Sequence, residues 1–424
     1  MYDIFSIQDI KMPDGFLWGS GYSGHQVEGN NTNSDSWQSE QRGNPNPIAE
    51  KSGLACNSYK MFMEDVELVS KLGHKAFRTS VEWSRIQPDE NTFSEEAAEH
   101  YIKFFAALKE RGIKVFCTLV HFSVPIWFKD KGGFSKAENL IYFERYLNYI
   151  IPKIAPYVDF YNVMNEFNIH GTKNDRLQFM KFHALGYHTI KKYTPSPVSS
   201  AHAFINYEPF RPNDKLDIAA AAYRDAMDNE YFFHAVRTGE VIQIGTDGFF
   251  SEDIKGTSDF WSVNIYTRTL VDSRKQGGNA AYYHKKLKLI DMDFYLEEFY
   301  PECMINTLTR LTDKPVYITE NGAACNDDRF RIVYLILYLS ALRQCMDMGV
   351  DVKGYLYWSL LDNYEWWTFR PKFGLCSVDR ESGSFARTPK RSAVFYRELI
   401  ENNGFDQNLI RKYIKELPSL GKTN

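Results

Sequence analysis

Short strand-like segments alternate with amphipathic helical segments along most of this chain, and that alternation restricts its possible folds more than any other feature. Such a pattern is typical of a parallel sheet whose strands are connected by helices. Because eight parallel strands close a barrel, we predict an α/β protein built as a single (β/α)8 barrel, the TIM-barrel architecture. The eight predicted strands are Phe16–Ser20, Lys75–Val81, Lys114–Val120, Phe160–Asn165, Ser199–Ile205, Phe260–Tyr266, Val316–Glu320 and Val352–Ser359.

The segments between these strands carry apolar residues on one helical face. From Asn57 to Leu72, apolar side chains recur at helical spacing, and Gly73 follows as a predicted helix end. No linker rich in Ser and Gly, no charge run and no internal repeat interrupts the series, so we predict one domain over residues 1–424. The other predicted helices are Glu95–Arg111, which ends before Gly112, Glu138–Ile154, Asp175–Lys192 and Phe330–Met348.

Composition and charge exclude several classes of partner. With 44% hydrophobic residues, a net charge of −4 and a pI of about 6.2, the chain can bury a large core but has no basic field to attract nucleic acid or an acidic membrane. The first residues, MYDIFSIQDIKMPDG, lack a basic segment followed by an apolar run, and no stretch of about 18 apolar residues occurs. Six cysteines occur singly, without C-x-x-C pairs. We therefore expect a cytoplasmic protein with reduced thiols and without a metal site.

Polar residues occur at nearly every predicted strand end. In such barrels the chemistry gathers at the carboxyl ends of the strands, so these side chains would all face one rim. Each residue alone has an ordinary structural explanation, since a strand-end Glu often caps a helix or pairs with an Arg. Their occurrence around the whole rim predicts a functional site. The residues are His25, Gln26, Glu28, Arg78, His121, Asn165, Glu166, Asn264, Tyr266, Glu320, Trp358, Asn363, Glu365, Trp366 and Trp367.

Two of these residues are carboxylates that the fold should bring together. Glu320 ends the apolar run of PVYITENG, and Glu166 ends the predicted fourth strand, which places the pair on strands four and seven. A strand can hold a carboxylate rigidly at the edge of a cleft. Two converging carboxylates among Trp, Asn, Gln and His side chains are the apparatus of glycoside hydrolysis, in which one acts as acid and base and the other attacks the anomeric carbon.

A series of longer segments resembles a known family. In order they are GFLWGSGYSGHQVEG, FRTSVEWSRIQP, TLVHFSVPIW, YNVMNEF, DFWSVNIYT, YITENGAA, YWSLLDNYEW and KFGLCSVD, and they span positions 15 to 379. Together they resemble the signature segments of glycoside hydrolase family 1. The resemblance implies a (β/α)8 retaining β-glycosidase without metal or organic cofactor. It implies β-glucosidase activity foremost, with β-galactosidase and β-fucosidase activity also plausible, on small β-glycosides or short oligosaccharides.

The same resemblance implies roles for individual residues. Glu320 in TENG matches the family's nucleophile, Glu166 matches its acid/base, and Asn165 matches the residue that binds the sugar 2-hydroxyl. We expect Glu320 to stay ionised and Glu166 to have the higher pKa, because Glu166 is less well compensated. The remaining matches are Gln26, His121, Glu365 and Trp366 as contacts to the 3-, 4- and 6-hydroxyls, Trp358 as the aromatic floor, and Arg78 and Tyr266 as groups that hold the nucleophile, Tyr266 also facing the substrate.

The chain also departs from the family pattern. Phe122 stands where Trp is common, and Phe167 follows the acid/base where Pro is common. The segment between Trp367 and Phe373 lacks the usual Gly-Tyr pair and is one residue short, and the region 206–255 is brief. Both apolar replacements should reshape the pocket wall without removing chemistry, and the short region predicts a more open cleft.

Three other functions are known on the same fold family: hydrolysis of 6-phospho-β-glucosides, cleavage of thioglucosides, and sugar binding without catalysis. A 6-phospho-β-glucosidase of the same family would need Ser in place of Glu365 and a Lys nearby, for which Lys372 is the candidate. An anion beside a phosphate weakens binding, so Glu365 argues against this alternative. Thioglucoside-cleaving relatives lack the acid/base, and non-catalytic sugar-binding relatives lose one carboxylate, whereas this chain keeps Glu166 and Glu320. The preferred sugar and aglycone, the extent of transglycosylation and the oligomeric state stay open.

Overall fold

Eight parallel strands close into a barrel in a computed structural model that describes residues 3–47, 49–275 and 298–416. Each barrel strand pairs with the barrel strands before and after it in the chain, and the eighth pairs with the first. The predicted (β/α)8 architecture is therefore confirmed. The strands are Leu17–Gly21, Ala76–Ser80, Lys114–Val120, Phe160–Asn165, Val198–Ala203, Trp261–Asn264, Val316–Asn321 and Val352–Trp358.

The predicted strands Lys114–Val120 and Phe160–Asn165 are confirmed at both ends, whereas the other six were wrong by one or two residues at one or both ends, most clearly the fifth and sixth. These strands end at Ala203 and Asn264, not at Ile205 and Tyr266. The physical reason is that the chain leaves the barrel at both points and forms two short outer strands that pair in parallel with each other, Asn206–Pro209 and Arg268–Val271. Tyr266 therefore lies on a loop above the barrel.

The five predicted helices are present as Phe62–Lys71, Glu95–Glu110, Leu140–Ile154, Lys173–Tyr193 and Asp328–Asp347. The first starts five residues later than predicted, and Asn57, its predicted first residue, has a left-handed φ of 54° that a helix cannot include. Gly73 and Gly112 both have φ of 72°, which confirms them as helix ends. None of the helices in the described ranges is long and apolar enough to cross a membrane.

Shorter elements complete the described chain. The further α-helices are Gly24–Val27, Asp35–Arg42, Trp83–Ile86, Ile126–Asp130, Lys215–Asp225, Tyr231–Thr238, Glu302–Leu308, Arg391–Glu401 and Gln407–Tyr413, with a π-helix at Ala226–Glu230 and 3-10 turns at Gly133–Ser135, Ala137–Asn139 and Phe167–Ile169. Three antiparallel pairs lie outside the barrel: Ile10–Lys11 with Gly404–Phe405, Glu240–Val241 with Phe249–Phe250, and Cys376–Val378 with Arg387–Pro389.

Apolar side chains fill the lower part of the barrel and polar side chains lie above them. The lower cluster draws on seven of the eight strands or the residues next to them, namely Leu17, Ala76, Phe116, Phe160, Phe260, Tyr317 and Leu356. Since side chains two positions apart share a face of a strand, Arg78 lies above Ala76 and Trp358 lies above Leu356. Because alternate residues of each strand face the barrel interior, the functional side chains lie above the apolar cluster, at the carboxyl-terminal rim.

Candidate active site

A cavity of about 650 Å3 opens at the carboxyl-terminal rim of the barrel. This volume lies in the range usual for small-molecule sites. Nine of the ten residues to which the family resemblance gives a role line it, whereas His25, Glu28, Asn363 and Trp367, also predicted on this rim, are not among the lining residues. The nine are Gln26, His121, Asn165, Glu166, Tyr266, Glu320, Trp358, Glu365 and Trp366, and the tenth, Arg78, is buried next to Glu320.

Glu320 has a hydrogen-bond donor on each carboxylate oxygen. Arg78 Nη1 donates to Oε1, and the Tyr266 hydroxyl donates to Oε2 at 2.7 Å. Arg78 also donates through Nη2 to Asn165 Oδ1 at 2.5 Å, which fixes the guanidinium between the two residues. Because both Glu320 and Arg78 are almost fully buried, the cation compensates the carboxylate with little screening by water.

Glu166 lies at the turn that follows the fourth strand. Its φ of 46° is left-handed, and this turn starts the 3-10 segment Phe167–Ile169. Asn264 Nδ2 donates to Glu166 Oε1 at 2.9 Å. Burial, followed by repulsion from the charge of Glu320, raises the pKa of Glu166 to about 8. The direction agrees with the sequence prediction, and the carboxyl group is mostly protonated at neutral pH.

Three irregularities in strand pairing lie near the site side chains. The register shifts between Asn162 and Asn165, between Val263 and Asn264, and between Ile318 and Asn321. A bulge breaks the strict alternation of a strand and changes the direction of a side chain. We attribute to these shifts the convergence of Asn165, Asn264 and Glu320 on one cavity.

His121 and two Trp rings form an aromatic wall. The imidazole is nearly parallel to the Trp358 ring at 5.9 Å and to the Trp366 ring at 6.3 Å between centroids. Asn165 Oδ1 accepts from Arg78, so Asn165 Nδ2 is the donor to His121 Nε2 at 3.2 Å, and the imidazole carries its proton on Nδ1. Burial, followed by the charge of Arg78, lowers the pKa of His121 well below its usual range and keeps the ring neutral.

Gln26 and Glu365 form a polar wall that adjoins the aromatic one at Trp358. Gln26 Nε2 donates to Glu365 Oε2 at 3.2 Å, and Trp358 Nε1 donates to Glu365 Oε1 at 3.1 Å. Gln26 is itself held by Ser23 Oγ, which donates to Gln26 Oε1 at 2.7 Å. Burial, with a smaller contribution from the charge of Glu320, raises the pKa of Glu365 to about 8. A carboxyl group and a side-chain amide next to each other suit the recognition of neighbouring hydroxyl groups.

The short segment between Trp367 and Phe373 is tied to Glu50. The backbone N–H of Glu50 donates to the Trp367 carbonyl at 2.7 Å, and Glu50 Oε2 accepts from the Phe369 backbone N–H at 2.8 Å. Trp366 and Trp367 both have positive φ, at 41° and 85°. This tight connection brings Trp366 and Phe373 to the cavity wall despite the shortened loop.

Two residues of the site were present in the sequence pattern but were not given a role. Asn264 contacts both carboxylate-bearing strands, since its Nδ2 donates to Glu166 Oε1 at 2.9 Å and its Oδ1 accepts from the Thr319 hydroxyl at 2.8 Å. His25 stacks on Trp366 with centroids 5.8 Å apart and an angle of 6°, and Glu40 holds its Nε2 at 2.8 Å. Asn264 was detectable as a polar residue at a strand end, whereas the stacking of His25 needed the tertiary structure.

No group of three or more His, Cys, Asp or Glu side chains within the described ranges is arranged to hold a metal ion. The side chains of this cavity offer a compensated carboxylate, a carboxyl group with a raised pKa, and a wall of neutral hydrogen-bonding and aromatic groups.

Comparisons with known proteins point to one family. Residues 8–176 and 173–405 match Glycosyl hydrolase family 1. A β-glycosidase structure from Pyrococcus horikoshii has 30% identity and a TM-score of 0.84, and the match covers 97% of this chain and 99% of that one. A β-galactosidase of Saccharolobus solfataricus is 28% identical over 83% of this chain and 85% of its own length. β-Glucosidase A of Thermotoga maritima is 27% identical over 93% of this chain and 99% of its own length.

Proposed function

Because the chain belongs to glycosyl hydrolase family 1, we propose that Glu320 is the nucleophile and Glu166 the acid/base of its reaction. The chain is a retaining β-glycosidase of the O-glycosyl hydrolase class. The observation that best supports the two roles is the contrast between the two carboxyl groups of the cavity. Glu320 has a hydrogen-bond donor on each oxygen, whereas the pKa of Glu166 is raised to about 8. Different environments give the two carboxyl groups opposite tasks.

In the first step Glu166 donates its proton to the glycosidic oxygen while Glu320 attacks the anomeric carbon. The bond to the leaving group breaks and a covalent glycosyl-enzyme forms. Tyr266 and Arg78 hold the carboxylate of Glu320 in one orientation before the attack. This fixed geometry lowers the entropic part of the barrier.

In the second step the ester at Glu320 carries no charge. Since the charge of Glu320 contributes to the raised pKa of Glu166, that pKa falls once the ester forms. Glu166 is then a carboxylate that can take a proton from water as it attacks the anomeric carbon. The product retains the β configuration, and Glu320 is released ionised.

The remaining wall binds the glycone. Asn165 is assigned to the 2-hydroxyl, a contact that strengthens in the transition state. We assign Gln26, His121, Glu365 and Trp366 to the other hydroxyls, with Trp358 as the aromatic floor. Because Gln26 and Glu365 lie 3.2 Å apart, either epimer at C4 finds a partner. We propose β-glucosidase activity foremost, with β-galactosidase and β-fucosidase activity, and relatives of this chain are named for the first two activities.

Phosphorylated sugars fit this cavity less well than plain ones. Among the described residues that line the cavity, none is Lys or Arg. Lys372, the candidate phosphate ligand, instead donates through Nζ to the Phe369 carbonyl at 2.9 Å. A buried carboxyl group, Glu365, occupies the place where a phosphate-binding relative would have Ser.

Two broader properties of the enzyme belong to the same proposal. We propose that residues 1–424 act as one catalytic domain, since the barrel strands extend from Leu17 to Trp358 and the last described helix, Gln407–Tyr413, packs on the barrel's helices. We also propose a cytoplasmic location, in agreement with six buried cysteines that form no disulfide. Its partners are small β-glycosides.

The test of the nucleophile is covalent trapping. A 2-deoxy-2-fluoro-β-glucoside with a dinitrophenyl leaving group slows the second step, so the glycosyl-enzyme accumulates and peptide mass spectrometry locates it. We expect the label on Glu320. A label on another residue would remove Glu320 from its role, and unlabelled, active enzyme would contradict the double-displacement chemistry.

A further inference from the structure

Trp366 reaches the active-site cavity from a strained turn in the loop that follows the eighth barrel strand. Its φ of 41° and that of Trp367, 85°, are left-handed, a region that large side chains rarely occupy. Such backbone conformations persist where the surrounding structure fixes them. The groups packed around Trp366 therefore decide where its indole lies.

The imidazole of His25 lies against this indole. The two rings are parallel within 6° and their centroids are 5.8 Å apart, which is an offset stack. His25 belongs to the short helix Gly24–Val27. Because its side chain is fully buried, the imidazole gives the indole a surface that is closely packed on its other sides.

Glu40 fixes one nitrogen of the imidazole. Its Oε1 lies 2.8 Å from His25 Nε2, and its Oε2 accepts from the backbone N–H and the hydroxyl of Ser52 at 2.9 and 2.6 Å. Burial alone would raise the pKa of Glu40, but the hydrogen bonds from His25 and Ser52 outweigh it and bring the pKa below its usual value. Glu40 is therefore a carboxylate, which can only accept, and His25 carries a proton on Nε2.

Asn31 fixes the other nitrogen. Its Oδ1 accepts from the Ser84 hydroxyl at 2.6 Å, so its Nδ2 is the group that lies 3.3 Å from His25 Nδ1. Of the two hydrogens on Nδ2, one bonds Glu82 Oε2 at 2.7 Å and the other is left for the imidazole. His25 is thus a neutral ring held on both nitrogens, and protein groups alone set its plane.

The indole N–H of Trp366 is open to a ligand. Within the described ranges no acceptor bonds Trp366 Nε1, whereas Trp358 Nε1 donates to Glu365. A donor that lines a cavity binds a hydroxyl more tightly when its ring is already held, because less side-chain freedom is lost on binding. Holding the Trp366 ring would therefore strengthen sugar binding.

We propose that His25 is a positioning residue for the glycone subsite: its imidazole, fixed by Glu40 and Asn31, holds Trp366 in the orientation that binds the sugar. His25 does not line the cavity, so it acts through the indole. Its effect on hydrolysis rests on the proposed function, which assigns Trp366 to a glycone hydroxyl. Its effect on the indole does not.

The hold on the indole is measured by ¹⁹F NMR of protein labelled with 5-fluorotryptophan, in which Trp366→Phe identifies the Trp366 signal. His25→Gln keeps a donor for Glu40 and removes the ring. We expect the Trp366 line to broaden or split in this variant, because the indole then samples several orientations. His25→Phe, which keeps a ring, should return the line towards its original width. An equally sharp, single Trp366 line in His25→Gln would overturn the inference.

The consequence for the rate is tested by a double-mutant cycle with p-nitrophenyl β-glucoside. We expect His25→Gln to lower kcat/KM about two- to tenfold, the range of one aromatic contact. It should have no further effect once Trp366→Ala has removed the indole, and His25→Phe should recover part of the loss. Equal losses from His25→Gln with and without the indole would contradict the proposal, since His25 would then act on the site by another route.

His74→Gln is the matched control. It removes another buried imidazole, one that bonds Ser20 Oγ and lies just before the second barrel strand, at the end of the barrel opposite the site. We expect kcat/KM and the Trp366 line to stay unchanged. A Trp366 line that broadened equally in His74→Gln would assign the effect to a general loosening of the fold and refute the role of His25. Failure of the unmodified enzyme to cleave p-nitrophenyl β-glucoside would instead overturn the proposed function, and the line widths would still decide whether His25 holds the indole.

Discussion

The charge of Glu320 should control the protonation of Glu166, and this coupling can be measured directly. Glu320→Gln keeps the shape of the side chain and removes its charge. Burial raises the pKa of Glu166 first and the charge of Glu320 second, so only the second contribution is lost in the variant. We therefore expect the pKa of Glu166 to fall from about 8 without reaching the ordinary value for Glu.

The size of the fall follows from Coulomb's law. Two carboxylates of a retaining enzyme lie about 5 Å apart. At effective dielectric constants of about 40 to 20, their repulsion is about 1.7 to 3.3 kcal/mol. One pKa unit corresponds to about 1.4 kcal/mol, so the expected fall is about 1 to 2.5 units. Arg78, which is left without its carboxylate partner in the variant, acts in the same direction.

The assay is a ¹³C NMR titration of protein labelled at the carboxyl carbon of Glu. Glu166→Gln identifies the signal of Glu166, and Glu365→Gln identifies that of Glu365, whose pKa is also raised to about 8. An unchanged or higher pKa of Glu166 in Glu320→Gln would refute the electrostatic coupling, and with it the explanation of how one residue serves as acid and then as base.

Three further predictions concern how the carboxyl groups of Glu166, Glu320 and Glu365 affect the rate of hydrolysis. In the unmodified enzyme kcat/KM should fall as pH rises through about 8, because the protonated form of Glu166 is the active one. Profiles of kcat/KM against pH check this. If the fall at high pH persists in Glu166→Ala but disappears in Glu365→Gln, it belongs to Glu365. Glu320→Ala should lower kcat by about 10³-fold or more on every substrate. Glu166→Ala should leave the first step nearly unchanged for substrates with good leaving groups and lower the rate roughly 10²–10⁴-fold on an unactivated disaccharide. Near-normal rates of both variants on the disaccharide would contradict the assignment. Glu365→Ser should lower kcat/KM for a plain β-glucoside by about one to three orders of magnitude, at roughly 1.5–3 kcal/mol per lost hydrogen bond. The same change should narrow the difference in kcat/KM between the plain β-glucoside and the 6-phospho-β-glucoside. A preference of the unmodified enzyme for the phosphorylated sugar would refute our interpretation of Glu365.

The barrel was predictable because its signals are local. The alternation of strands and helices lies in hydrophobic periodicity over a few residues, and Gly73 and Gly112 mark helix ends through their own backbone freedom. The boundaries were less predictable. Nothing local shows that the chain leaves the barrel after Ala203 and Asn264, because those exits depend on a pairing between two outer strands that are more than 50 residues apart.

The membership of the site was also largely predictable, since residues at strand ends must share one rim of a barrel. Glu166, Glu320 and several of their neighbours were therefore expected on this rim from their positions, and they line one cavity. Asn264 was seen as a polar strand-end residue, but its hydrogen bond to Glu166 depends on a register shift that no sequence pattern shows.

By itself, then, the sequence determined the alternation that closes the barrel, the rim at which polar side chains gather, and the position on that rim of the two carboxylates to which we assign the chemistry. Only the tertiary structure decided the left-handed turn at Glu166 and the donors on both oxygens of Glu320. The physical reason is the distance along the chain over which each kind of interaction acts. Periodicity and turn preferences act between near neighbours in the chain, whereas desolvation, charge repulsion and cavity shape arise between residues that only folding brings together.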